Sequence, residues 1–376
     1  MLQSPLILRH RAAGRAARLV VLLSLLVSAC GTTPTIEEES APAAIFYPPL
    51  PNPPRIQYLT SFSSSADVTP EPTTFSQFVL GSDQARDIVP IVKPYGVTFH
   101  DGRLYAVDTR GPGYVILDLS GHGFKTVTGA GGGRMEKPIN ITIDADGTRY
   151  VTDTGRGQVL VFDTADRFVR AYGLKGQFKP SDVAIVADRL YVADLKHNNI
   201  QVLDKGTGEL LFTFGKAGSR EGELFFPTNL AVGPGGDLYV SDTGNYRIQR
   251  FSPEGRFIES QGSVGLSLGQ FARPKGIALD RAGRLYVVDA AFENVQIFGP
   301  DHKLLLFFGE PGSRPENINL PADITISYEA VPYFRTYADP GFRLRYVILV
   351  SSQFGRSKIN AYGFGTMEGM QYPAGP

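Results

Sequence analysis

The sequence predicts an all-β fold, a six-bladed β-propeller of four-stranded antiparallel blades, and three observations carry that prediction. A proline-led apolar run recurs at Pro94, Pro138, Pro180, Pro227, Pro274 and Pro321, with spacings of 44, 42, 47, 47 and 47 residues. Each unit holds three or four short strand-like runs, each ended by turn residues. With 42 glycines, 27 prolines, 17 tyrosines, 24 phenylalanines and no tryptophan in 376 residues, the composition favours short strands and tight turns over helices. One such sheet cannot bury its faces alone, so near-equal units must pack face to face. Two β-sandwiches would use a similar number of strands, but they do not require a constant period.

In chain order, residues 1–29 read as a signal peptide: a basic start is followed by an apolar run, Leu19 to Val27, too short to span a bilayer. The run ends in Leu26-Val27-Ser28-Ala29-Cys30-Gly31, which resembles the bacterial lipobox, and Cys30 is the only cysteine in the chain. That resemblance implies cleavage before Cys30 and acylation of its sulfur and new amino terminus, a stable anchor because two or more chains are buried. Gly31 in place of Asp implies sorting to the outer membrane, so the expected location is the bacterial cell envelope. Residues 30–54, rich in proline, acids and small residues, then form a lipidated tether. Loss of residues 1–29 removes Arg9, Arg11, Arg15 and Arg18 and leaves 33 basic against 37 acidic residues, which argues against a nucleic-acid binder that works by bulk charge.

The propeller is expected over 55–363, with a tail at 364–376. The second runs of the units are RLYAVD, TRYVTD, RLYVAD, DLYVSD and RLYVVD, ending at Asp108, Asp153, Asp194, Asp242 and Asp289. In the sixth unit Gln353 takes the aspartate's place. Third runs such as RIQRF and NVQIF follow, then fourth runs ending in glycine, such as LLFTFG. This pattern closely resembles the NHL repeat over roughly residues 90 to 363. The resemblance implies a propeller that is either a binding platform or a lyase, since the fold does not choose between them. The sixth unit lacks an evident fourth strand, while RIQYLTSF, Arg55 to Phe62, stands as an orphan before the first; it is expected to close the ring as the outer strand of blade six.

The five aspartates form an array, but they recur once per blade before turn residues, where a carboxylate accepts local backbone N–H groups; they read as structural. Function is sought where the blades differ. Two residues after each proline stand Gly96, Asn140, Asp182, Asn229, Gly276 and Asp323, on the strands expected to line the channel. Asn140, Asp182, Asn229 and Asp323 are hard-oxygen donors suited to Ca²⁺ or another divalent ion, as the resemblance to propellers of which some, among the NHL lyases and gluconolactonases, hold a metal in the channel implies. The alternative reading is that Gly, Asn and Asp are there as turn residues before a strand and the channel holds only water. Immediately before the prolines, Lys93, Lys137, Lys179 and Arg273 form a basic rim able to meet an anionic ligand. In blade six an added segment, Tyr328 to Arg345, is expected to protrude as an arm that offers Tyr333, Phe334, Tyr337 and Phe342 to a partner, or else to pack on the ring's underside.

His10, His100, His122, His197 and His302 fall at unlike places, so the three-histidine zinc centre of NHL amidating lyases is not recovered. No nucleophile or phosphate-cradling motif is visible, and catalytic residues are not nominated. The leading expectation is an envelope lipoprotein that serves as a protein or ligand interaction platform. The alternative is a metal-dependent lyase or hydrolase with its site at the channel mouth.

Overall fold

Proline lacks a backbone N–H and is tolerated at the first residue of a strand, and in all six units it opens the innermost strand. In five blades it stands opposite the aspartate that ends the second strand, as Pro94 does with Asp108 and Pro227 with Asp242. A register shift follows at once in every inner strand and turns the next residues toward the ring axis. The computed structural model describes residues 44–69, 87–111 and 113–372; the expected signal peptide, residues 1–29, and Cys30 lie outside them.

These residues form six antiparallel sheets. The inner strands are Pro94–His100, Pro138–Ile143, Pro180–Val186, Pro227–Val232, Pro274–Leu279 and Pro321–Ser327. Each lies against the next, and the sixth returns to the first, so the propeller is a closed ring of six blades. The end where the inner strands begin is called the proline face below, and the opposite end the far face. Six apolar clusters fill the ring, one at each seam between blades; at the seam of blades three and four, Tyr191 and Ile200 pack with Leu230, Val240 and Phe251.

The orphan strand closes the ring as expected. Ile56–Phe62 pairs with Ile359–Met367, the third strand of blade six, from Ile56 opposite Phe364 to Phe62 opposite Ile359. Two boundaries differ from expectation. Phe46–Tyr47, inside the residues read as tether, adds a fifth strand outside Ile56–Phe62. The closing partner also runs on to Met367, past the expected end of the propeller, although its glycines made the sequence look like a poor strand. Those glycines serve close approach. A side chain at Gly363 would lie 2.3 Å from Leu344 Cδ1, and one at Gly365 would lie 2.3 Å from the Arg343 carbonyl oxygen.

The added segment of blade six does not protrude. It makes a short helix, Val331–Phe334, a 3₁₀ turn, Arg335–Tyr337, and then the long second strand Phe342–Ser352. Phe334 is fully buried edge-on against Phe62 at 6.1 Å, and Phe342 packs on Phe46 at 5.7 Å. Apolar burial decided between an arm and self-packing.

Phe62 belongs to the closing strand and to the seam of blades six and one. Phe62→Ala is expected to cost about 3–5 kcal/mol in urea unfolding, whereas Leu305→Ala, half exposed on the outer strand of blade five, should change it by no more than about 0.5 kcal/mol. Deleting residues 55–62 should lower the melting temperature sharply; an unchanged value would contradict closure by this strand.

Candidate functional site

The repeated aspartates are fastened to backbone. Asp108 accepts the N–H groups of Val92 and Lys93 from the incoming loop, and those of Arg110 and Gly111 from its own turn, at 2.6–3.2 Å. Asp153 holds Glu136, Lys137, Gly155 and Arg156, and Asp289 holds Ala272, Arg273, Ala291 and Phe292, in the same way. Each carboxylate therefore ties the loop entering its blade to the turn inside it, which is a structural task.

The positions two residues after the prolines do meet around the axis, and each side chain there is more than nine-tenths buried. Only four side chains fit into the six places. A Cβ at Gly96 would lie 1.9 Å from Asn140 Oδ1, and one at Gly276 would lie 2.5 Å from Asp323 Cα. Asp182 accepts from Val183 N at 2.7 Å and, across the seam to blade four, from Leu230 N at 2.8 Å. Asp323 accepts from Val97 N of blade one at 3.0 Å and from the Asn229 amide at 3.1 Å. Asn140 Oδ1 accepts from Ile141 N at 2.8 Å.

Every carboxylate oxygen in the layer thus already serves the ring, with one lone-pair direction left on each. Ca²⁺ takes about six to eight oxygen ligands. Two carboxylates and two amides committed in this way fall short of that shell, and among the described residues no group of three or more His, Cys, Asp or Glu side chains converges. Burial raises the pKa of both Asp182 and Asp323, and the charge of Asp323 raises Asp182 further. From this layer a cavity of about 230 Å³ extends toward the far face between Thr98, Thr142, Ala231, Ala278 and Thr325.

On its proline side the layer meets Tyr95, which the sequence reading did not single out. Tyr95 stands on blade one, and its hydroxyl donates to Asn229 Oδ1 of blade four, on the opposite side of the ring, at 3.5 Å. The ring therefore lies across the axis. Lys275 of blade five places its Nζ 4.7 Å from the centre of that ring, and only 8 % of Lys275 is exposed. Burial, then the charges of Arg273 and Lys93, push its pKa down to about 8. Both residues immediately follow an aligned proline, where the other units carry Ile139, Ser181, Thr228 and Ala322. A bulky aromatic and a cation among small or aliphatic residues were the available signal, one position before the one chosen.

Of the rim, Arg273, Lys137 and Lys179 are exposed, and Lys93 is half-buried with its Nζ 5.2 Å from the Phe354 ring. None of the four pairs with a carboxylate among the described residues. Of the four aromatics proposed for contact, Phe334 and Phe342 are buried, Tyr333 packs on Phe99 at 5.8 Å, and only Tyr337 is exposed. His197 bonds Asp194 and His302 faces Glu259 at 3.3 Å, on different blades.

The NHL repeat family profile matches residues 226–251. The chain is 35 % identical over 94 residues to Protein brain tumor of Drosophila melanogaster, covering 24 % of this chain and 9 % of that protein. It is 50 % identical over 44 residues to the B-box type zinc finger protein ncl-1 of Caenorhabditis elegans, covering 12 % and 5 %. It thus spans less than a tenth of the length of these curated relatives. Among solved structures it resembles a gluconolactonase of Xanthomonas campestris, with a TM-score of 0.54 at 15 % identity over 84 % of this chain and 91 % of the other. It also resembles a streptogramin B lyase, with a TM-score of 0.51 at 14 % identity over 73 % and 95 %. At such identities the likeness shows the fold alone.

A raised carboxylate pKa means that the folded state holds its proton more tightly than the unfolded chain, so stability falls as pH rises from the ordinary carboxylate value through the raised one. Asp182→Asn relieves the repulsion of the pair. Its melting temperature is therefore expected to lose less than the wild type's between about pH 5 and about pH 8; parallel curves would show that the two carboxylates do not interact.

Proposed function

We propose that this chain is a lipid-anchored envelope protein whose propeller is an interaction platform, with the proline face as its working surface. One observation carries the choice of face. Loops there hold exposed apolar side chains, Leu266 at 87 %, Leu174 at 78 % and Val264 at 64 %, with Phe225 and Phe226 about half exposed, and the unpaired cations Lys93, Lys137, Lys179 and Arg273 stand among them. Apolar tips with nearby unpaired cations suit a partner that offers apolar pockets within an acidic surface.

Phe226 adds an independent point. It precedes Pro227 with φ at +57°, a left-handed conformation that is strained for a bulky residue, while its side chain remains half exposed. Leu320, at the equivalent place before Pro321, shares this conformation with φ at +46°, so what bears on function at Phe226 is the exposure of its ring. Cys30 supplies the anchor in this reading, and residues 31–43 join it to the propeller. The enzymatic alternative gains no comparable support, because the oxygens proposed for a metal hold the inner strands together.

Crosslinking in intact envelopes followed by pull-down tests the platform. Phe226→Asp combined with Leu266→Asp is expected to keep the wild-type melting temperature and to weaken partner capture by tenfold or more, at least about 1.4 kcal/mol. Undiminished capture would overturn the choice of face. Cys30→Ser is expected to move the protein from the membrane to the soluble fraction; retention at the membrane would refute the anchor.

A further inference from the structure

The non-repeated parts of the chain, rather than the ring axis, build the most strongly cationic cavity among those described. At the far face, a cavity of about 590 Å³ is lined by Arg55, Arg284, Arg343 and Arg345, with Glu368 and Tyr372. Each element arrives from a different source. Arg55 leads into the closing strand, Arg284 immediately precedes the second strand of blade five, Arg343 and Arg345 lie on the long second strand of blade six, and Tyr372 lies beyond the last strand.

Three of the four arginines are held by contacts, the exposed Arg345 is not, and two of the charges are left without a carboxylate. Arg284 donates to Asp280 at 2.6 Å and to the Tyr346 hydroxyl at 3.3 Å, and its guanidinium lies 4.5 Å from the centre of the Phe364 ring. Arg343 pairs with Glu368 at 2.8 Å. The Arg55 guanidinium stacks on Tyr372 at 4.1 Å; the Tyr372 hydroxyl in turn donates to the Pro54 carbonyl at 2.8 Å and accepts from Met367 N at 2.6 Å. Arg55 and Arg345 meet no carboxylate among the described residues. Burial lowers the Arg55 pKa, and although Tyr372 opposes this, the Arg284 and Arg345 charges press it lower still. Like charges gathered around a cavity repel one another until an anion enters.

We propose that this cavity binds a phosphate or diphosphate group carried on a small organic molecule or a lipid headgroup. Guanidinium groups match such oxyanions with paired hydrogen bonds, which an ammonium group does not offer. The volume exceeds what a bare ion needs and lies within the range of about 300–1,000 Å³ usual for small-molecule sites. Met367 and Met370 give the remainder of a ligand an apolar wall. The site stands on the opposite face from the proposed platform and does not depend on it.

Calorimetry on the full-length chain at fixed ionic strength, with inorganic pyrophosphate as the probe, is expected to show one saturable site. Arg345→Gln and Arg55→Gln should each weaken it about tenfold or more. Arg256→Gln, a change at an exposed arginine on another far-face loop, should leave it unchanged. Arg345 is itself exposed, so its variant is expected to fold, and its melting temperature checks this. Absence of saturable heat, or equal affinity in all variants, overturns the proposal. Co-sedimentation of the unanchored Cys30→Ser chain with phosphatidic acid vesicles, lost when Arg345→Gln is added, identifies a lipid headgroup; pyrophosphate binding without vesicle binding identifies a soluble ester.

Discussion

A blade with two apolar faces is stable only between two other blades, and the rest of this molecule depends on that requirement. Six seams are filled by six separate clusters, and among the described residues these take the place of a single central core. One open seam would expose the facing surfaces of two sheets to water, at about 25 cal/mol per Å² of apolar area. Closure is thus a condition for the other five seams. It explains why the first described strands, Phe46–Tyr47 and Ile56–Phe62, lie in the same sheet as the last, Ile359–Met367.

Face-to-face packing also determines where polar groups can stand. At some seams a hydroxyl of the second strand reaches a neighbouring inner strand: Thr152 donates to the Ser181 carbonyl, Ser241 to that of Lys275, and Ser351 to that of Tyr95. Around the axis, Asp182 and Asp323 make equivalent seam-crossing bonds by accepting from Leu230 N and Val97 N. A buried acceptor next to an otherwise orphaned N–H contributes most when it is charged. The cost is the burial of two carboxylates, to which the charge of Asp323 adds at Asp182, and a layer of donors that resembles a metal site serves as a clamp.

The ring, its six blades and its closing strand were legible because period and strand pattern repeat, and even the aspartates' structural role followed from their recurrence. What escaped was whatever does not repeat. The glycines at Gly363 and Gly365 looked like strand breakers because their use lies in the close approach of Leu344 and Arg343, elements distant in sequence. Tyr328 to Arg345 looked like a protruding arm because aromatic content does not say which partner buries it; Phe62, Phe99 and Phe46 do so here. Lys275 and Tyr95 meet only after the ring brings blade five opposite the ring plane of a blade-one side chain. Pairings of that kind have no local sequence signal.

The balance of 33 basic and 37 acidic residues over positions 30–376 conceals a local asymmetry. On the proline face, the acids Asp108, Asp153 and Asp289 are buried under backbone N–H groups, while Lys137, Lys179 and Arg273 remain unpaired in solvent. On the far face, cations are commonly matched, as Lys205 is with Asp144, Arg250 with Asp237 and Arg284 with Asp280. Arg55 and Arg345, like Arg189 and Arg281, meet no carboxylate among the described residues, and the first two line one cavity. Net charge alone excludes little here. Pairing is the more informative quantity, because a matched charge is already part of the fold, whereas an unmatched one that is shielded from water costs stability unless something outside the chain completes it.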